Sequence, residues 1–394
     1  MLYVPRVALF ADTFDEINGA ANVIRRLVKF AQENNFPFLC VRSGAVTQLT
    51  QDGSIQFLEL KRSRASLQVD CELRYDPLLW KYKNLVGKTL KEFKPDIVHL
   101  TGLNDISQLG FFFAHFLKFP AVASWHTNTH EYAARRFVKM VPWLPCAMRH
   151  KINGYVEKSV MRGLMKLYFL AQLQLAPNEE LVTEIQRRTR RPARLMSRGV
   201  DTKLFAPTKR ARTDDKFILG YVGRLRTEKN VRLLSNIDQQ LHKFGITNYK
   251  FMIVGEGSEH FWLEKNLSQV HLTGVLHGEE LAKAYADMDL FVFPSHTDAF
   301  GNVVLEAMAS GVPAVVMPEG GPKFLMRHAA CGYIAQDEHD FVEAVVNFVR
   351  HPEQLCEMRQ VVRSMAIKHS WEQIFNDLYQ SYSKAMTFKK NVRA

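Results

Sequence analysis

The sequence has few cysteines. Its 394 residues include five, none of them in a C-x-x-C or C-x-x-H spacing: Cys40, Cys71, Cys146, Cys331 and Cys356. An odd number of scattered thiols argues against a disulfide-stapled secreted domain and against a zinc module. We expect reduced thiols that lie mostly in the core.

The N-terminus lacks a long apolar run, and acidic residues are fewer than basic ones. The opening MLYVPRVALFADTF meets Asp12 too early for a spanning helix and has no signal-peptide cleavage pattern, so we expect a cytosolic protein. The 52 Lys and Arg against 40 Asp and Glu give a formal net charge of +12. This charge favours an acidic partner, which the charge alone does not identify among nucleic acid, an anionic membrane surface and a phosphorylated substrate.

Short apolar, β-branched runs alternate with helical stretches, which is the pattern of a parallel sheet. In the first half, the run at residues 7–14 precedes an amphipathic stretch, and the same unit returns at residues 80–102 and 109–128. A second series begins at residues 217–225 after the polar connector 209–216. We predict an α/β protein with at least two domains, because the chain is long for a single core.

The segment GYVGRLRTEKN places two cations after a predicted strand. Gly223 ends the strand, Arg224 follows it, and Lys229 lies where the next helix begins. Two cations and helix-end amides can hold a diphosphate, whereas the alternative is a pair of surface charges at a sheet edge. The VGEG turn, which contains Gly255, does not follow G-x-G-x-x-G, so an NAD site is not favoured.

The segment PSHTDAFGNVVLEAMASGVP carries the densest signal. Asp298 lies in a loop, Gly301 opens the following helix, and Glu306 comes eight positions after Asp298. A carboxylate beside free helix-end amides can bind sugar hydroxyls and phosphate in one place, and Glu306 could reach ribose hydroxyls. The alternatives are a helix cap for Asp298 and a solvated helix face for Glu306.

In order and spacing, GRLRTEKN, VGEG, TDAFGNVVLEAMASGVPAVV and EGGP resemble the signature series of glycosyltransferase family 4 over nearly the whole chain. The resemblance implies the GT-B fold, with two Rossmann-like, doubly wound parallel-sheet domains that face a cleft. Residues 1–207 would form the acceptor-side domain, residues 208–370 the nucleotide-sugar-binding domain, and a helix at 371–388 would cross back to the first. It also implies retaining transfer of a hexose from a GDP- or UDP-linked donor without a metal ion or other cofactor.

The resemblance assigns roles to residues of the second domain. Asp298 stands for the first acid of the family's E-x7-E motif and would hold sugar hydroxyls, while Glu306 would bind the ribose. Arg224 and Lys229 would stabilise the diphosphate leaving group as negative charge develops on it. The other predicted donor-binding residues there are Gly223, Gly255, Val275, Leu276, Ala299, Phe300, Gly301, Asn302 and Val303.

Three further segments resemble the same family. In NGA, Gly19 takes the place of a glycine loop that approaches the donor phosphate or the acceptor. SWHTNTHEYAARR resembles a lipid-acting branch that includes sulfolipid synthases and glycolipid mannosyltransferases, in which His126 would hydrogen-bond the transferred sugar. SRGVDTKLF resembles that branch as well and would bring Arg198 to phosphate. The alternative for His126 is a histidine at a strand end whose hydrogen bonds are satisfied within the protein. The alternative for Arg198 is an arginine of the linker between the domains.

A basic segment, residues 131–170, favours contact with a membrane. It holds eight Lys or Arg against two Glu, with Met140 and Trp143 among them. Such a segment could lie on anionic lipid at the inner face of the cell membrane, each cation contributing about 1 kcal/mol. The alternative is a solvated helix face on an enzyme with a glycan or small-molecule acceptor. No nucleic-acid module is recognised in the sequence, so no nucleic-acid partner is expected.

Two other functions stay open at this point. A nucleotide-sugar 2-epimerase that hydrolyses its donor shares the architecture, but it needs further acids around the sugar, and no matching set is apparent. A nucleotide-sugar-binding module without transferase activity would keep the donor site, and aspartate in place of glutamate at position 298 is compatible with it. The presence of Arg224, Lys229, Glu306 and His126 favours the transferase.

Overall fold

The computed structural model of the chain describes residues 3–16, 19–68, 74–126, 146–298, 300–326 and 331–391. The chain divides into two compact units. The first unit comprises Met1–Ser197 and Ile374–Ala394, and the second comprises Arg198–Gln373. Each contains a sheet of mainly parallel strands with helical connections, which confirms the predicted α/β class. The predicted division into an acceptor-side and a donor-binding domain stays a prediction.

An eight-stranded sheet forms the centre of the first unit. Its strands are β1 (Val7–Ala11), β2 (Phe38–Gly44), β3 (Gln48–Asp52), β4 (Ile55–Lys61), β7 (Ile97–Leu100), β8 (Ala121–Ser124), β9 (Leu173–Ala176) and β10 (Ala193–Leu195). Their order is β10-β9-β8-β7-β1-β2-β4-β3, and only β3 runs antiparallel to its neighbour. Two short strands, β5 (Leu67–Gln68) and β6 (Arg74–Tyr75), pair separately.

The helices of the first unit connect its parallel strands. They are α1 (Gly19–Glu33), α2 (Lys83–Phe93), α3 (Asp105–Phe116), α4 (Cys146–Tyr168) and α5 (Glu179–Thr189), with a 3-10 turn at Leu79–Tyr82. The apolar side chains of α1 that recur at helical spacing, among them Val23, Ile24 and Leu27, are buried. The periodicity of the sequence therefore predicts correctly which face of this helix meets the core.

A six-stranded sheet, parallel throughout, forms the second unit. Its strands are β11 (Phe217–Val222), β12 (Tyr249–Val254), β13 (Val270–Gly274), β14 (Leu290–Phe293), β15 (Ala314–Val316) and β16 (Gly332–Ile334). Their order, β13-β12-β11-β14-β15-β16, is the doubly wound order of a dinucleotide-binding sheet. The strand order reverses between β11 and β14, and such a reversal opens a crevice at the carboxyl ends of the strands.

The helices of the second unit follow its strands in alternation. They are α6 (Leu233–Lys243), α7 (His260–Asn266), α8 (Gly278–Asp287), α9 (Asn302–Ala309), α10 (Pro322–Leu325), α11 (Glu338–Arg350) and α12 (Gln354–Lys368), with 3-10 turns at Pro207–Lys209 and Thr227–Lys229. Most of the apolar side chains on the two faces of the sheet and the facing helices form one buried cluster.

The last helix, α13 (Trp371–Asn391), packs aromatic rings against the first unit from Ile374 onward. Phe375 lies 5.4 Å, centroid to centroid, from Phe30, and Tyr379 lies 4.8 Å from Phe36. One turn further, the hydroxyl of Tyr382 reaches a ring nitrogen of His99. These contacts fix the helix by ring packing and by a buried hydrogen bond.

His99 on β7 is a buried polar residue of the first core. Its Nδ1 lies 2.7 Å from the hydroxyl of Tyr382, and its Nε2 lies 2.8 Å from Oγ of Ser124. Burial, with a smaller contribution from His126, lowers the pKa of His99 to about 3. The imidazole is therefore neutral in the folded protein at physiological pH.

We predict that acid destabilises the first unit through His99. The pKa of this imidazole is lower in the folded chain than the ordinary value of about 6.5, so its contribution is complete above pH 6.5 and is lost as the pH falls toward 3. At pH 5 the loss should be about 2 kcal/mol of unfolding free energy. Urea unfolding of wild type and of His99→Gln at pH 7.5 and pH 5 measures it. The pH-dependent loss should shrink in His99→Gln and persist in the control His115→Gln, a change at an exposed histidine.

Candidate functional site

The predicted donor-binding residues of the second unit lie after the carboxyl ends of its strands. Gly223 follows β11, Gly255 follows β12, Val275 and Leu276 follow β13, and Asp298 lies in the loop after β14. Parallel strands end at the same edge of a sheet, and the strand order reverses beside β11. Ligands of doubly wound sheets bind at this edge.

Two glycines let the backbones of neighbouring strand ends come close together. The Gly223 amide donates to the Val254 carbonyl at 3.0 Å, and the Gly255 amide donates to the Gly274 carbonyl at 2.8 Å. Gly255 has φ +134°, and a Cβ there would lie 2.0 Å from the carbonyl oxygen of Gly223. Only glycine fits this position without moving the backbone. Beyond these turns, Val275 is 55% exposed, while Leu276 packs partly against the core.

Lys229 and Asp298 form an ion pair. Lys229 is 9% exposed, and its ammonium contacts the carboxylate of Asp298, whose side chain is 27% exposed. Arg224 is exposed, and its backbone carbonyl accepts a hydrogen bond from the hydroxyl of Tyr221 at 3.1 Å. Lys229 is thus held within the protein, whereas Arg224 reaches solvent.

The loop that carries Asp298 is held by backbone contacts on two sides. The Gly321 amide donates to the Asp298 carbonyl at 2.7 Å. Gly320 has φ +76°, and a Cβ there would lie 2.5 Å from the same oxygen. On the other side, Oγ1 of Thr297 donates to the carbonyl of Glu228 at 3.2 Å. The structure therefore brings together the GRLRTEKN, TDAFG and EGGP segments.

Helix α9 begins at this loop without a side-chain cap. Its N-cap residue is Gly301, at φ +85°, so Asp298 is an ion-pair partner and not the cap. Phe300 is buried, and the guanidinium of Arg198 lies 5.9 Å from its ring centroid. Burial lowers the pKa of Arg198 and the nearby Asp298 raises it, and a guanidinium stays charged in both cases.

Glu306 lies further along α9. The hydroxyl of Tyr285 donates to its Oε2 at 2.9 Å, and Glu306 is half-buried. Burial, together with the charge of Glu306, raises the pKa of the Tyr285 hydroxyl, which is therefore a permanent donor. Glu306 thus occupies an oriented, partly desolvated position and not a solvated face. On the same helix Asn302 is exposed and Val303 is half-buried, while Ala299 lies outside the described residues.

The two predicted residues of the first unit also follow strand ends. Gly19 is the first residue of α1, after β1, and is half-buried. His126 lies two residues after β8, and its Nε2 is 2.7 Å from Oγ of Ser124. Asn18 lies outside the described residues. Nε2 of His126 is thus held by the protein.

Two polar residues, Asp12 in the first unit and Tyr285 in the second, are not predicted by the motifs. Asp12 follows β1 directly, is buried, and accepts hydrogen bonds from the amides of Asn104 and Ser107 at 2.9 and 2.8 Å. Burial raises the pKa of Asp12 to about 6, against the effect of those bonds. A polar residue directly after a buried strand is a signal that could have found Asp12. No sequence pattern indicates Tyr285, whose hydroxyl orients Glu306.

The described residues show neither a metal-binding group nor a membrane-spanning helix. They include no group of three or more His, Cys, Asp or Glu placed to hold a metal ion, and metal independence stays a prediction. None of their helices combines the length and the apolar character that a membrane span requires. Residues 131–145 of the basic segment lie outside the described residues, and in α4 the side chains of Lys158, Arg162 and Lys166 are exposed.

Comparison with known proteins gives concordant matches. Residues 216–351 match the family model described as glycosyl transferases group 1. A GDP-mannose-dependent alpha-mannosyltransferase of Corynebacterium glutamicum is 27% identical over 98% of this chain and 91% of its own length. A protein of the same name from Mycobacterium tuberculosis is 30% identical over 75% of this chain and 74% of its own length. The sulfoquinovosyl transferase of Arabidopsis thaliana is 28% identical over 80% of this chain and 60% of its own length.

A solved structure agrees with these matches in fold. The sucrose-phosphate synthase of Thermosynechococcus elongatus superposes with a TM-score of 0.67 at 19% identity. The match covers 97% of this chain and 99% of that one. At this identity the likeness concerns the fold alone.

We predict that Gly255→Ala destabilises the second unit far more than Gly245→Ala. Both glycines have positive φ, but a Cβ at Gly245 meets nothing within 4 Å, whereas one at Gly255 meets the Gly223 carbonyl. The control should cost about 1 kcal/mol, from backbone strain alone. Gly255→Ala should cost about 3 kcal/mol, because strain and overpacking add. Urea unfolding followed by circular dichroism compares them, and equal losses would contradict the close approach.

Proposed function

This chain belongs to the group 1 glycosyl transferases and has the GT-B fold, and from that premise we propose that it transfers mannose from GDP-mannose to a lipid or glycan acceptor with retention of anomeric configuration. The predicted resemblance is thereby confirmed, and the chain is a glycosyltransferase. The choice of donor rests on the 27% sequence identity to a GDP-mannose-dependent alpha-mannosyltransferase, which extends over nearly the full length of both chains.

The charges of the second unit fit a diphosphate leaving group. Arg198 and Lys229 both act electrostatically on the Asp298 carboxylate, and Arg224 lies five residues before Lys229. Arg224 and Lys229 would neutralise the diphosphate as the bond to the sugar breaks, a part that metal ions take in other transferases. Asp298 would accept hydrogen bonds from the sugar hydroxyls.

The uncharged residues at the strand ends fit the remainder of a nucleotide sugar. Gly223 and Gly255 have no side chains at the edge of the sheet, which leaves room for phosphate close to the backbone. Glu306, oriented by Tyr285, would accept hydrogen bonds from ribose hydroxyls. Val275 and Leu276 would border the base. In this assignment all donor contacts except those of Gly19 and His126 come from the second unit.

Retention needs no strong general base in this proposal. The departing phosphate accepts the proton of the acceptor hydroxyl on the same face of the sugar on which the new bond forms. The protein then contributes orientation of the two substrates and neutralisation of charge. His126 and Gly19 would contact the sugar and the phosphate, as the resemblance implies.

We predict that Glu306→Ala weakens binding of GDP-mannose at least about tenfold, since hydrogen bonds to a carboxylate contribute about 1.5–3 kcal/mol. Titration calorimetry with GDP-mannose and with UDP-glucose tests which nucleotide base the protein prefers and whether Glu306 contacts the donor. The control is Glu280→Ala, a change at an exposed glutamate on α8, which should bind as wild type does.

Arg224→Ala should bind donor but lose turnover with a membrane lipid extract. The anomer of the product is measured by nuclear magnetic resonance.

The same assay separates the competing functions. A transferase consumes GDP-mannose slowly without an acceptor and rapidly with one. Free consumption without an acceptor would indicate a donor-hydrolysing epimerase, and binding without turnover under every condition would indicate a binding module. If no sugar nucleotide binds, the proposal is wrong.

We also propose that the first unit contacts an anionic membrane surface. The rings of Trp80, Phe112 and Phe116 form an exposed aromatic cluster, with exposed fractions of 40%, 41% and 65%. Phe112 lies 5.2 Å from Trp80 and 5.7 Å from Phe116, centroid to centroid. Exposed aromatic clusters are typical of protein or membrane interfaces. The net charge of +12 favours an anionic lipid surface.

Replacing the exposed aromatic cluster by serine (Trp80→Ser, Phe112→Ser, Phe116→Ser) should reduce binding to vesicles about tenfold or more, because each ring contributes about 1 kcal/mol of apolar burial. Co-sedimentation with vesicles of phosphatidylcholine and phosphatidylglycerol measures it. The matched control is Phe261→Ser, which removes an 80% exposed ring from the second unit. Equal binding of the two variants would contradict a role for the cluster.

A further inference from the structure

A cavity of about 360 Å³ lies in the second unit, at the edge where the strands of its sheet begin. Among its lining residues, Ala286 precedes β14 and Gly311 precedes β15. Gly223, Gly255 and Asp298 follow the carboxyl ends of strands of the same parallel sheet. The cavity therefore lies at the opposite edge of the sheet from these predicted donor-binding residues. Its volume is typical of small-molecule pockets, which measure about 300–1,000 Å³.

Three arginines line this cavity, and one carboxylate is bound to them. Arg210 and Arg359 share Oδ1 of Asp289, at 2.9 and 2.8 Å. Arg363 donates to backbone carbonyls, among them that of Phe205 at 2.8 Å, and forms no ion pair within the described ranges. Three guanidinium groups against one carboxylate leave a formal charge of +2 at the cavity wall.

Asp289 has further partners that compete for its charge. Its Oδ2 lies 3.1 Å from Nη2 of Arg212 and accepts a hydrogen bond from the Ile218 amide at 2.9 Å. In contrast, every hydrogen bond that the side chain of Arg359 makes in the described part of the chain runs through Nη2. Burial lowers the pKa of Arg359, yet a guanidinium stays charged. An anion would therefore find N–H donors on a partly desolvated cation.

The remainder of the cavity wall is apolar, apart from a few polar groups. Pro207, Ala286 and Ile367 contribute apolar surface. Ser310 also lines the cavity and is 2% exposed, and its hydroxyl is buried without a hydrogen-bond partner among the described residues. A buried hydroxyl of this kind is stabilised by any ligand oxygen that bonds to it. Charge beside apolar surface favours a ligand that combines the two.

We propose that this cavity binds an organic phosphate monoester, a dianionic group attached to a small apolar body. A phosphate monoester carries a charge of about −1.5 to −2 at pH 7, which matches the formal charge of the wall. Its oxygens would accept hydrogen bonds from Arg359 and Ser310, and its apolar body would lie against Pro207 and Ile367. Neither the donor nor the acceptor of the proposed function enters this inference.

A matched pair of variants on α12 tests the site by charge. Gln360 lines the cavity and is exposed, so Gln360→Glu adds a negative charge to the wall without breaking an ion pair. Gln354→Glu makes the same change on the same helix, at an exposed residue that does not line the cavity. A third variant, Arg359→Gln, removes one of the three cations. Because Gln360→Glu leaves Asp289 paired, the test does not depend on the folding of Arg359→Gln.

Titration calorimetry at pH 7.5 compares phenyl phosphate, inorganic phosphate and benzyl alcohol as ligands. In wild type and Gln354→Glu, phenyl phosphate should bind about tenfold or more tightly than inorganic phosphate, because the ring adds apolar burial. Benzyl alcohol, which has the ring without the charge, should show no binding at the same concentrations. Gln360→Glu and Arg359→Gln should each weaken binding of phenyl phosphate about tenfold, the effect of one altered charge-assisted contact.

Three results would overturn the proposal. Phenyl phosphate might bind no variant and not the wild type, or it might bind Gln360→Glu as tightly as Gln354→Glu, which would place it elsewhere on the protein. Equal affinities for phenyl phosphate and inorganic phosphate would exclude a role for the apolar wall. The proposed donor site is tested separately by GDP-mannose and Glu306→Ala. Failure of either test therefore leaves the other conclusion intact.

Discussion

The ion pair between Lys229 and Asp298 is the contact on which the rest of the second unit's site depends. An ammonium that is 9% exposed requires a nearby carboxylate, because desolvation of an unpaired charge costs several kcal/mol. The carboxylate can reach Lys229 only if the loop after β14 takes its observed path. That path needs Gly320, at which a Cβ would lie 2.5 Å from the Asp298 carbonyl oxygen. The position of one charge thus imposes the first glycine of the EGGP turn.

The same loop determines where α9 begins. Gly301 at φ +85° ends the loop and starts the helix, so the helix-end amides and Asp298 belong to one continuous segment. Five residues later, Glu306 meets Tyr285 from the neighbouring α8. The eight-residue spacing of the two acids therefore combines a loop that fixes one carboxylate and a helix that carries the other. Spacing alone does not reveal that each acid has its own partner.

The two units hold their candidate functional residues by different kinds of interaction. In the second unit, opposite charges orient each other, and both salt and a bound anion would change the strength of their attraction. In the first, Nε2 of His126 lies 2.7 Å from Oγ of Ser124, which lies 2.8 Å from the neutral ring of His99. Burial keeps His99 unprotonated, so its contacts with Tyr382 and Ser124 join neutral groups.

Local sequence signals predicted much of this molecule. The apolar spacing predicted α1, the apolar runs predicted most of the parallel strands, and the motif order predicted the family. Strands β4 and β3 were not predicted. The edge strand β3 (QLTQD) is exposed throughout, without the apolar signal of a core strand. The contacts of Lys229 with Asp298 and of His99 with Tyr382 join residues 69 and 283 positions apart. Such pairings follow from sheet topology and helix packing, which local patterns do not encode.

The positive charges of the second unit favour an anionic ligand. Arg198, Arg224 and Lys229 bring three cations to a segment where Asp298 supplies the carboxylate that acts on two of them. Cations that outnumber this carboxylate attract phosphate. In the proposed function, a diphosphate would satisfy that charge and its sugar would bond to Asp298. The residues that stabilise the loop would then also hold the nucleotide sugar.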